Sequence, residues 1–317
     1  MAQATACSPS QGIAELRPVS APRHRSGTSF RQVEQCLGSE EAIVAHLFKC
    51  REKELSLCPT CARPVELVPA KRMGTYSGTC CQAFHRIVTM GTLFERSTWP
   101  LTSWILAMVY FANSRSGISL AFLQTMFGLN GGSAHIICKR IRQHMALLED
   151  ERQLGGPGEP VGLSFQRIKG ARGSRIQSRS VLVMAIHDAS HVVPVVVADR
   201  RPSTIHPIVR AKVRPGSILV YRDRIEHARL NQFRSNRGLA RSFAIEPASR
   251  YPGIDNAILV FWMHFRRVIA AGHGHFARGN LWLYLGEFAF RFNRRSEPDQ
   301  IFWDMVSRFR PLVGRGA

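Results

Sequence analysis

Residues 181–221 read VLVMAIHDASHVVPVVVADRRPSTIHPIVRAKVRPGSILVY. Short runs of valine and isoleucine, separated by turn residues, predict β-strands in this stretch, and the segment before the last run has the pattern of a helix. Strands, then a strand–helix–strand unit, then further helices predict an α/β domain with a mixed sheet. We expect strands at 161–165, 181–186, 192–197 and 218–221, and helices at 200–213, 254–270 and 280–292.

The chain before this domain is predicted to be helical, apart from one segment that carries cysteines. The 317 residues are therefore expected to form an α+β, multidomain protein. The expected segments are a disordered N-terminus (1–28), a helical lead-in with a zinc-ribbon-like module (29–97), a helical DNA-binding segment (98–150), a linker (151–160), the α/β domain (161–296) and a C-terminal tail (297–317).

The formal net charge is +21 and the isoelectric point is about 10.9. Such an excess of basic residues repels itself unless a polyanion compensates it, so DNA is the expected partner; a solvated basic surface is the alternative. The apolar runs are too short to span a membrane, and the basic residues are not gathered on one amphipathic helix. We expect a soluble, cytoplasmic protein without a membrane contact or a small-molecule substrate.

Four of the eight cysteines cluster in two places, which indicates metal ligation. Cys58-Pro59-Thr60-Cys61 is a well-formed CxxC knuckle, and Cys80 and Cys81 follow it as an adjacent pair. A zinc ribbon needs two thiolates from each of two knuckles around a tetrahedral Zn²⁺. Three interpretations stay open. Zn²⁺ is held by Cys58, Cys61 and Cys81 with Cys80 or His85 as the fourth ligand, or the site is weakened and partly filled, or no metal binds.

A helix–turn–helix is predicted between residues 120 and 148. A helix at 120–127 ends at a glycine-containing turn, and a basic helix follows from about residue 133. Packing alone also explains many helix pairs with a basic face, but the net charge favours DNA binding. The candidate DNA contacts on the second helix are Lys139, Arg140, Arg142 and Gln143.

Several short motifs, in the same order, resemble insertion-sequence transposases of the ISXO type. They include the CxxC knuckle, Gly91-Thr92-Leu93-Phe94-Glu95, Pro215-Gly216-Ser217-Ile218 and the Phe261-Trp262 pair. That family has an N-terminal zinc ribbon and a ribonuclease-H-like DDE domain. The resemblance therefore implies a ribonuclease-H-like fold for residues 161–296, a structural Zn²⁺, catalytic Mg²⁺ and DNA transposition. It also places the family's third zinc thiolate at Gly78 and the fourth at Cys81.

The resemblance locates three catalytic carboxylates, and this chain has none of them. The family positions are occupied by Gly162, Arg222 and Leu259, while Asp223 lies one residue late. Mg²⁺ prefers carboxylate oxygens, and two-metal strand transfer depends on them. The resemblance therefore implies Mg²⁺ for the family, whereas these residues predict neither Mg²⁺ binding nor strand transfer here.

The sequence thus predicts a transposase-like DNA-binding protein that has lost catalysis. The family's DNA channel implies further contacts from the C-terminal helices, together with a homo-oligomer on DNA and association with the bacterial nucleoid. Two alternatives are a repressor or architectural protein adapted from a transposase, and a decaying transposase copy. The candidate C-terminal contacts are Arg266, Arg267, Arg291, Arg294 and Arg295.

Overall fold

The computed structural model of the protein describes residues 27–114, 117–168, 180–221, 243–272 and 278–309. Contacts within the chain define two compact units. Unit 1 holds the described residues up to 144 and from 296 onward, and unit 2 holds those from 145 to 295. The expected disorder of the N-terminus falls almost entirely outside the described residues, and the predicted segment boundaries stay predictions.

Helices and strands follow one another close to the predicted order. The helices are α1 (Phe30–Leu37), α2 (Glu40–Leu55), α3 (Leu101–Asn113), α4 (Leu120–Phe127), α5 (Gly131–Asp150), α6 (Pro202–Lys212), α7 (Asn256–Gly272), α8 (Leu281–Phe292) and α9 (Asp299–Ser307). The strands are β1 (Val68–Pro69), β2 (Thr75–Thr79), β3 (Ala83–Ile87), β4 (Pro160–Ile168), β5 (Val181–His187), β6 (Val192–Val197), β7 (Ile218–Tyr221) and β8 (Ala244–Pro247). Within the described ranges, no helix is both long and apolar enough to cross a membrane.

Unit 1 contains a small antiparallel sheet in the order β1-β2-β3. β2 and β3 form a hairpin in which Gly78 pairs with Phe84 and Thr79 pairs with Ala83. Residues 80–82 are therefore the turn of this hairpin, and they carry Cys80 and Cys81 at its tip. Together with the CxxC knuckle this arrangement is compatible with the predicted zinc-ribbon-like module.

Unit 2 is built on a five-stranded mixed sheet in the order β6-β5-β4-β7-β8. β5 runs antiparallel to both β4 and β6, whereas β4, β7 and β8 are parallel. A parallel pair needs a crossover, and α6 supplies the helix of the connection between β6 and β7. This is the mixed sheet that the sequence predicts, in the ribonuclease-H-like arrangement that the resemblance implies, with β8 as an edge strand that sequence analysis missed.

Both faces of β5 are covered, which explains its uninterrupted apolar sequence. Leu182, Met184 and Ile186 belong to a core that α6 covers. Val181, Val183 and Ala185 belong to a second core, on the face that α7 and α8 cover. Because side chains alternate along a strand, His187 points to this second face, toward α7.

Aromatic rings hold α7 against α8 in the second core. Phe261 is fully buried, and its ring centroid lies 5.1 Å from that of Phe288 and 5.3 Å from that of Phe292. Offset and edge-on ring pairs of this kind add to the hydrophobic contribution of burial. The Phe261-Trp262 motif is therefore a packing element that fixes the face of α7 presented to the sheet.

Candidate functional site

Gly162, which the resemblance places at the first catalytic position of the family, lies in the middle of the sheet beside a histidine. Gly162 on β4 pairs directly with His187 on β5, and both residues face α7. A Cβ atom on Gly162 would lie 2.4 Å from Cε1 and 2.6 Å from Nε2 of His187. Real contacts of a Cβ atom are much longer, so the imidazole fills the space that a carboxylate side chain would need.

The His187 ring is held in place from the α7 side. It is fully buried, its Nδ1 lies 3.1 Å from the carbonyl oxygen of Ile254, and its Nε2 lies 3.9 Å from Oδ1 of Asp255. Because the ring is buried among these neighbours, a change of its rotamer to make room at Gly162 would break its contacts with Ile254 and Asp255.

The third family position, Leu259, lies on the outer side of α7. Its side chain is 66% exposed, and its backbone N–H donates to the carbonyl of Asp255 one turn earlier. Leucine offers no oxygen to a metal ion. The second family position, Arg222, and the neighbouring Asp223 lie outside the described residues.

Two other acidic residues near strand ends are bound to their own loops. Asp188 accepts hydrogen bonds from the backbone N–H groups of Ser190 and His191. The largest single effect on this carboxyl is burial, which raises its pKa, but the hydrogen bonds together lower the pKa. Asp199 accepts from the backbone N–H of Arg201 and the hydroxyl of Thr204, and these bonds lower its pKa. Both carboxylates thus stabilise turns.

The residues at the family positions do not fit Mg²⁺. Gly162 and Leu259 provide no ligand atom, and the space beside Gly162 is taken by His187. Across the described ranges, the one group of three or more His, Cys, Asp or Glu residues close enough to share a metal ion is the four-cysteine cluster of unit 1.

Four of the cysteines of unit 1 converge, as the sequence predicts. The Sγ atoms of Cys58, Cys61, Cys80 and Cys81 all lie within 4.8 Å of one another, and those of Cys61 and Cys80 are 3.6 Å apart. Zn–S bonds of about 2.3 Å in a tetrahedron imply sulfur separations of about 3.8 Å. The donor set therefore fits a structural Zn²⁺, which would hold the hairpin tip to the CxxC knuckle.

The backbone of the first knuckle prepares Cys58 for a metal. The N–H groups of Cys61 and Thr60 point at the Cys58 sulfur and lower its pKa to about 6. The thiols of Cys61 and Cys80 lie against Cys81 and raise its pKa to about 12. Thiolates are the ligating form, so zinc binding would have to displace the protons of this second pair.

The adjacent pair reaches the cluster without unusual backbone. Neither Cys80 nor Cys81 has a positive φ angle, so the hairpin turn brings both thiols to the cluster without a left-handed residue. Gly78, the family's third position, is instead covered by Leu67 and Phe84. Because strand side chains repeat every two residues, Cys80 continues on the face that residue 78 would use.

The helix–turn–helix consists of α4, a three-residue turn and α5. Gly128 adopts the left-handed conformation, with a φ of 61°, and its N–H donates to the carbonyl of Gln124. Asn130 then begins α5, since its Oδ1 accepts from the N–H of Ser133 at 2.8 Å. The Ser119 side chain caps α4 by accepting from the N–H of Phe122.

The four predicted contacts on α5 do not share one environment. Lys139 is exposed and Gln143 is half-buried. Arg140 donates to the carbonyls of Leu93 and Glu95 within unit 1. Arg142 is buried and donates to the carbonyl of Ile118 at 2.6 Å. Both arginines thus position the helix.

The C-terminal arginines also divide into two groups. Arg266 and Arg267 are exposed on α7. Arg291 is buried and forms an ion pair with Glu287, with Nη2 and Oε1 3.1 Å apart. Arg294 donates to the buried Glu149 carboxylate at 2.8 Å. Arg295 is exposed but donates to the carbonyl of Ser190.

Comparison with known proteins adds one match. Residues 149–293 match a family described as the ISXO2-like transposase domain. The matched segment starts near the end of α5, ends just after α8 and contains the whole five-stranded sheet. No curated protein gives a significant match to the chain.

Proposed function

We propose that the protein binds DNA without carrying out metal-dependent strand transfer, a proposal that starts from the match of residues 149–293 to the ISXO2-like transposase domain family. The observation that carries the proposal is the contact between Gly162 and His187. At the position of the family's first carboxylate, Cε1 of the buried His187 ring would lie 2.4 Å from a Cβ atom on residue 162.

The chemistry of the reaction supports the loss of catalysis. Two divalent ions activate the attacking oxygen and stabilise the in-line displacement at phosphorus, and carboxylates must hold both ions. Gly162 and Leu259 remove two of the three carboxylates. The remaining family position, Arg222, introduces a positive charge where the ions would need a negative one.

Charge and exposure support DNA binding. The net charge of +21 is large for a chain of this length and favours a polyanionic partner. Lys139, Arg266 and Arg267 are exposed, so their charged groups can reach phosphate oxygens. In this proposal the buried or internally bonded arginines at 140, 142, 291 and 294 support the fold rather than contact DNA.

A supercoiled-plasmid assay tests the catalytic half of the proposal. The purified protein is incubated with plasmid in Mg²⁺ and, separately, in Mn²⁺, and binding to the same DNA is titrated at two salt concentrations. We expect binding that weakens steeply with salt, and no nicked or joined product with either ion.

Each half of the proposal has its own contrary result. Metal-dependent nicking that is lost on substitution of Asp188, Asp199 or Asp223 would show that other carboxylates perform the reaction. Failure to bind DNA at low salt would remove the DNA-binding function itself. The mass of the bound complex, measured in the same titration, tests the expected homo-oligomer on DNA.

A further inference from the structure

Helix α5 has one face that is buried and one that is exposed. The buried residues repeat at helical spacing, with Ala134, Ile137, Cys138 and Ile141 all at most 4% exposed. The opposite face, also at helical spacing, carries Gly132, His135, Ile136, Lys139 and Gln143, of which Gln143 alone is half-buried. The outward face therefore shares only Lys139 and Gln143 with the set that sequence analysis selects, and it adds His135 and Ile136 in the first turns of the helix.

The outward face is held in a fixed orientation from within unit 1. The side chain of Asn130 caps the start of the helix, Arg140 bonds to the carbonyls of Leu93 and Glu95, and Arg142 bonds to the carbonyl of Ile118. The guanidinium of Arg142 also lies over the ring of Phe111, 5.6 Å from its centroid. A surface positioned in this way can meet a partner without first being ordered.

We propose that His135 and Ile136 read base edges in the major groove of DNA, with Lys139 on an adjacent phosphate. The proposal rests on the DNA-binding function proposed above. In a helix–turn–helix the N-terminal part of the second helix enters the major groove, and these residues occupy that part of α5. Arg140 and Arg142 are engaged inside unit 1, which leaves this trio as the outward group.

The residue types match what the major groove presents. Ile136 is 53% exposed, and its branched apolar side chain is suited to the methyl group of thymine. A histidine N–H can donate to the N7 or O6 acceptors of a purine. Lys139 lies one turn after His135, where a point charge can hold the helix against the phosphate backbone.

The test begins with selection of preferred sites from a random DNA pool by the full-length protein. We expect an enriched site that contains at least one thymine read by Ile136. Replacing that thymine with deoxyuridine removes only the methyl group, and we expect binding of the wild-type protein to weaken by about fourfold.

Matched variants assign the effect to the residue. Ile136→Ala should bind the thymine and deoxyuridine sites equally, whereas Met73→Ala, which alters another side chain that is 53% exposed, should keep the discrimination. His135→Ala should relax preference at a neighbouring purine. Lys139→Ala should reduce the slope of log affinity against log salt by about one. Lys53→Ala removes the same charge from α2 and should leave the slope unchanged.

The outcomes separate this inference from the function on which it rests. If the protein does not bind DNA at all, the proposed function fails, and the proposed base contacts of His135 and Ile136 fail with it. If the protein binds DNA without sequence preference, only the base contacts are overturned. The same holds if Ile136→Ala discriminates thymine from deoxyuridine as well as the wild type does.

Discussion

The imidazole of His187 occupies the volume that any side chain at Gly162 would need, with Cε1 2.4 Å from the position of a Cβ atom. The two residues are directly paired across β4 and β5, and His187 is fully buried. In our proposal the first family carboxylate is therefore not only absent, because the His187 ring also fills the space that its side chain would need.

Restoring the first carboxylate alone should therefore destabilise the protein. We expect Gly162→Asp to lower the free energy of unfolding by about 2 kcal/mol, the usual scale for overpacking. In a His187→Ala background the same substitution should lower the free energy of unfolding by less, because the ring that clashes with the new side chain is absent. Urea unfolding of the wild type, both single variants and the double variant measures this coupling. Equal costs in the two backgrounds would contradict the packing explanation. Leu259→Glu is the control, since an exposed position should tolerate it.

The cysteine cluster predicts one tightly bound Zn²⁺ per chain with four thiolate ligands. Cys80→Ser and Cys81→Ser should each weaken metal binding strongly, whereas Cys50→Ser, outside the cluster, should not. Metal analysis of the purified protein gives the stoichiometry, and the absorption spectrum of a Co²⁺-substituted sample reports the number of sulfur ligands. A Co²⁺ spectrum typical of three sulfur ligands and one nitrogen ligand would instead point to His85 as the fourth ligand. The nitrogen contribution to the spectrum should then be lost in a His85→Ala variant.

Burial of His144 predicts a loss of stability in acid. Its Nε2 lies 2.8 Å from the carbonyl oxygen of Met305, and burial lowers its pKa from 6.5 to about 4. Because the folded state disfavours the charged ring, stability is complete above pH 6.5 and falls as the pH drops toward 4. The loss attributable to this group is about 3 kcal/mol.

Urea unfolding at several pH values measures the effect of His144. A His144→Gln variant, which keeps a donor for the Met305 carbonyl but does not titrate, should lose less stability between pH 6.5 and pH 4 than the wild type. His135→Gln changes an exposed histidine and should retain the wild-type dependence. Identical pH dependence of the wild type and His144→Gln would refute the assignment.

The two groups of C-terminal arginines should respond differently to substitution. Glu149 is 3% exposed and accepts from Arg294, Arg152 and Asn293, so Arg294→Ala leaves a buried carboxylate with one ion-pair partner fewer. Because Arg152 still compensates the charge, we expect the substitution to lower the free energy of unfolding by about 2 kcal/mol. Arg266→Ala should instead leave stability unchanged and weaken DNA binding. Thermal unfolding and a binding titration on both variants distinguish the roles, and a stable Arg294→Ala protein with weak DNA binding would reverse our assignment.

The sequence predicted most of the fold because its signals are local. The apolar runs of β5 and β6, the Gly128 turn and the CxxC knuckle each depend on neighbouring residues, and all were found. The edge strand β8 was missed, since Ala244–Pro247 is short, ends in proline and is only partly buried. Edge strands lack the continuous apolar pattern by which buried strands are recognised.

The site was harder to predict because it depends on contacts between distant residues. Sequence pattern located Gly162 and Leu259 but not the placement of His187, which follows from the register of β4 and β5. Counting basic residues on α5 selected Arg140 and Arg142, whose helical positions turn them toward Leu93 and Ile118. Helical phase, applied to 134, 137, 138 and 141, would have identified His135 and Ile136 as outward.

The two faces of α5 also bear on how such a protein can evolve. The residues that hold the helix in place lie on one side, and the exposed His135, Ile136 and Lys139 lie on the other. Substitutions at exposed positions usually change folding stability very little. If this face reads DNA as we propose, mutations there can change the preferred target from one lineage to the next, while the buried side of the helix stays under unchanged selection for folding.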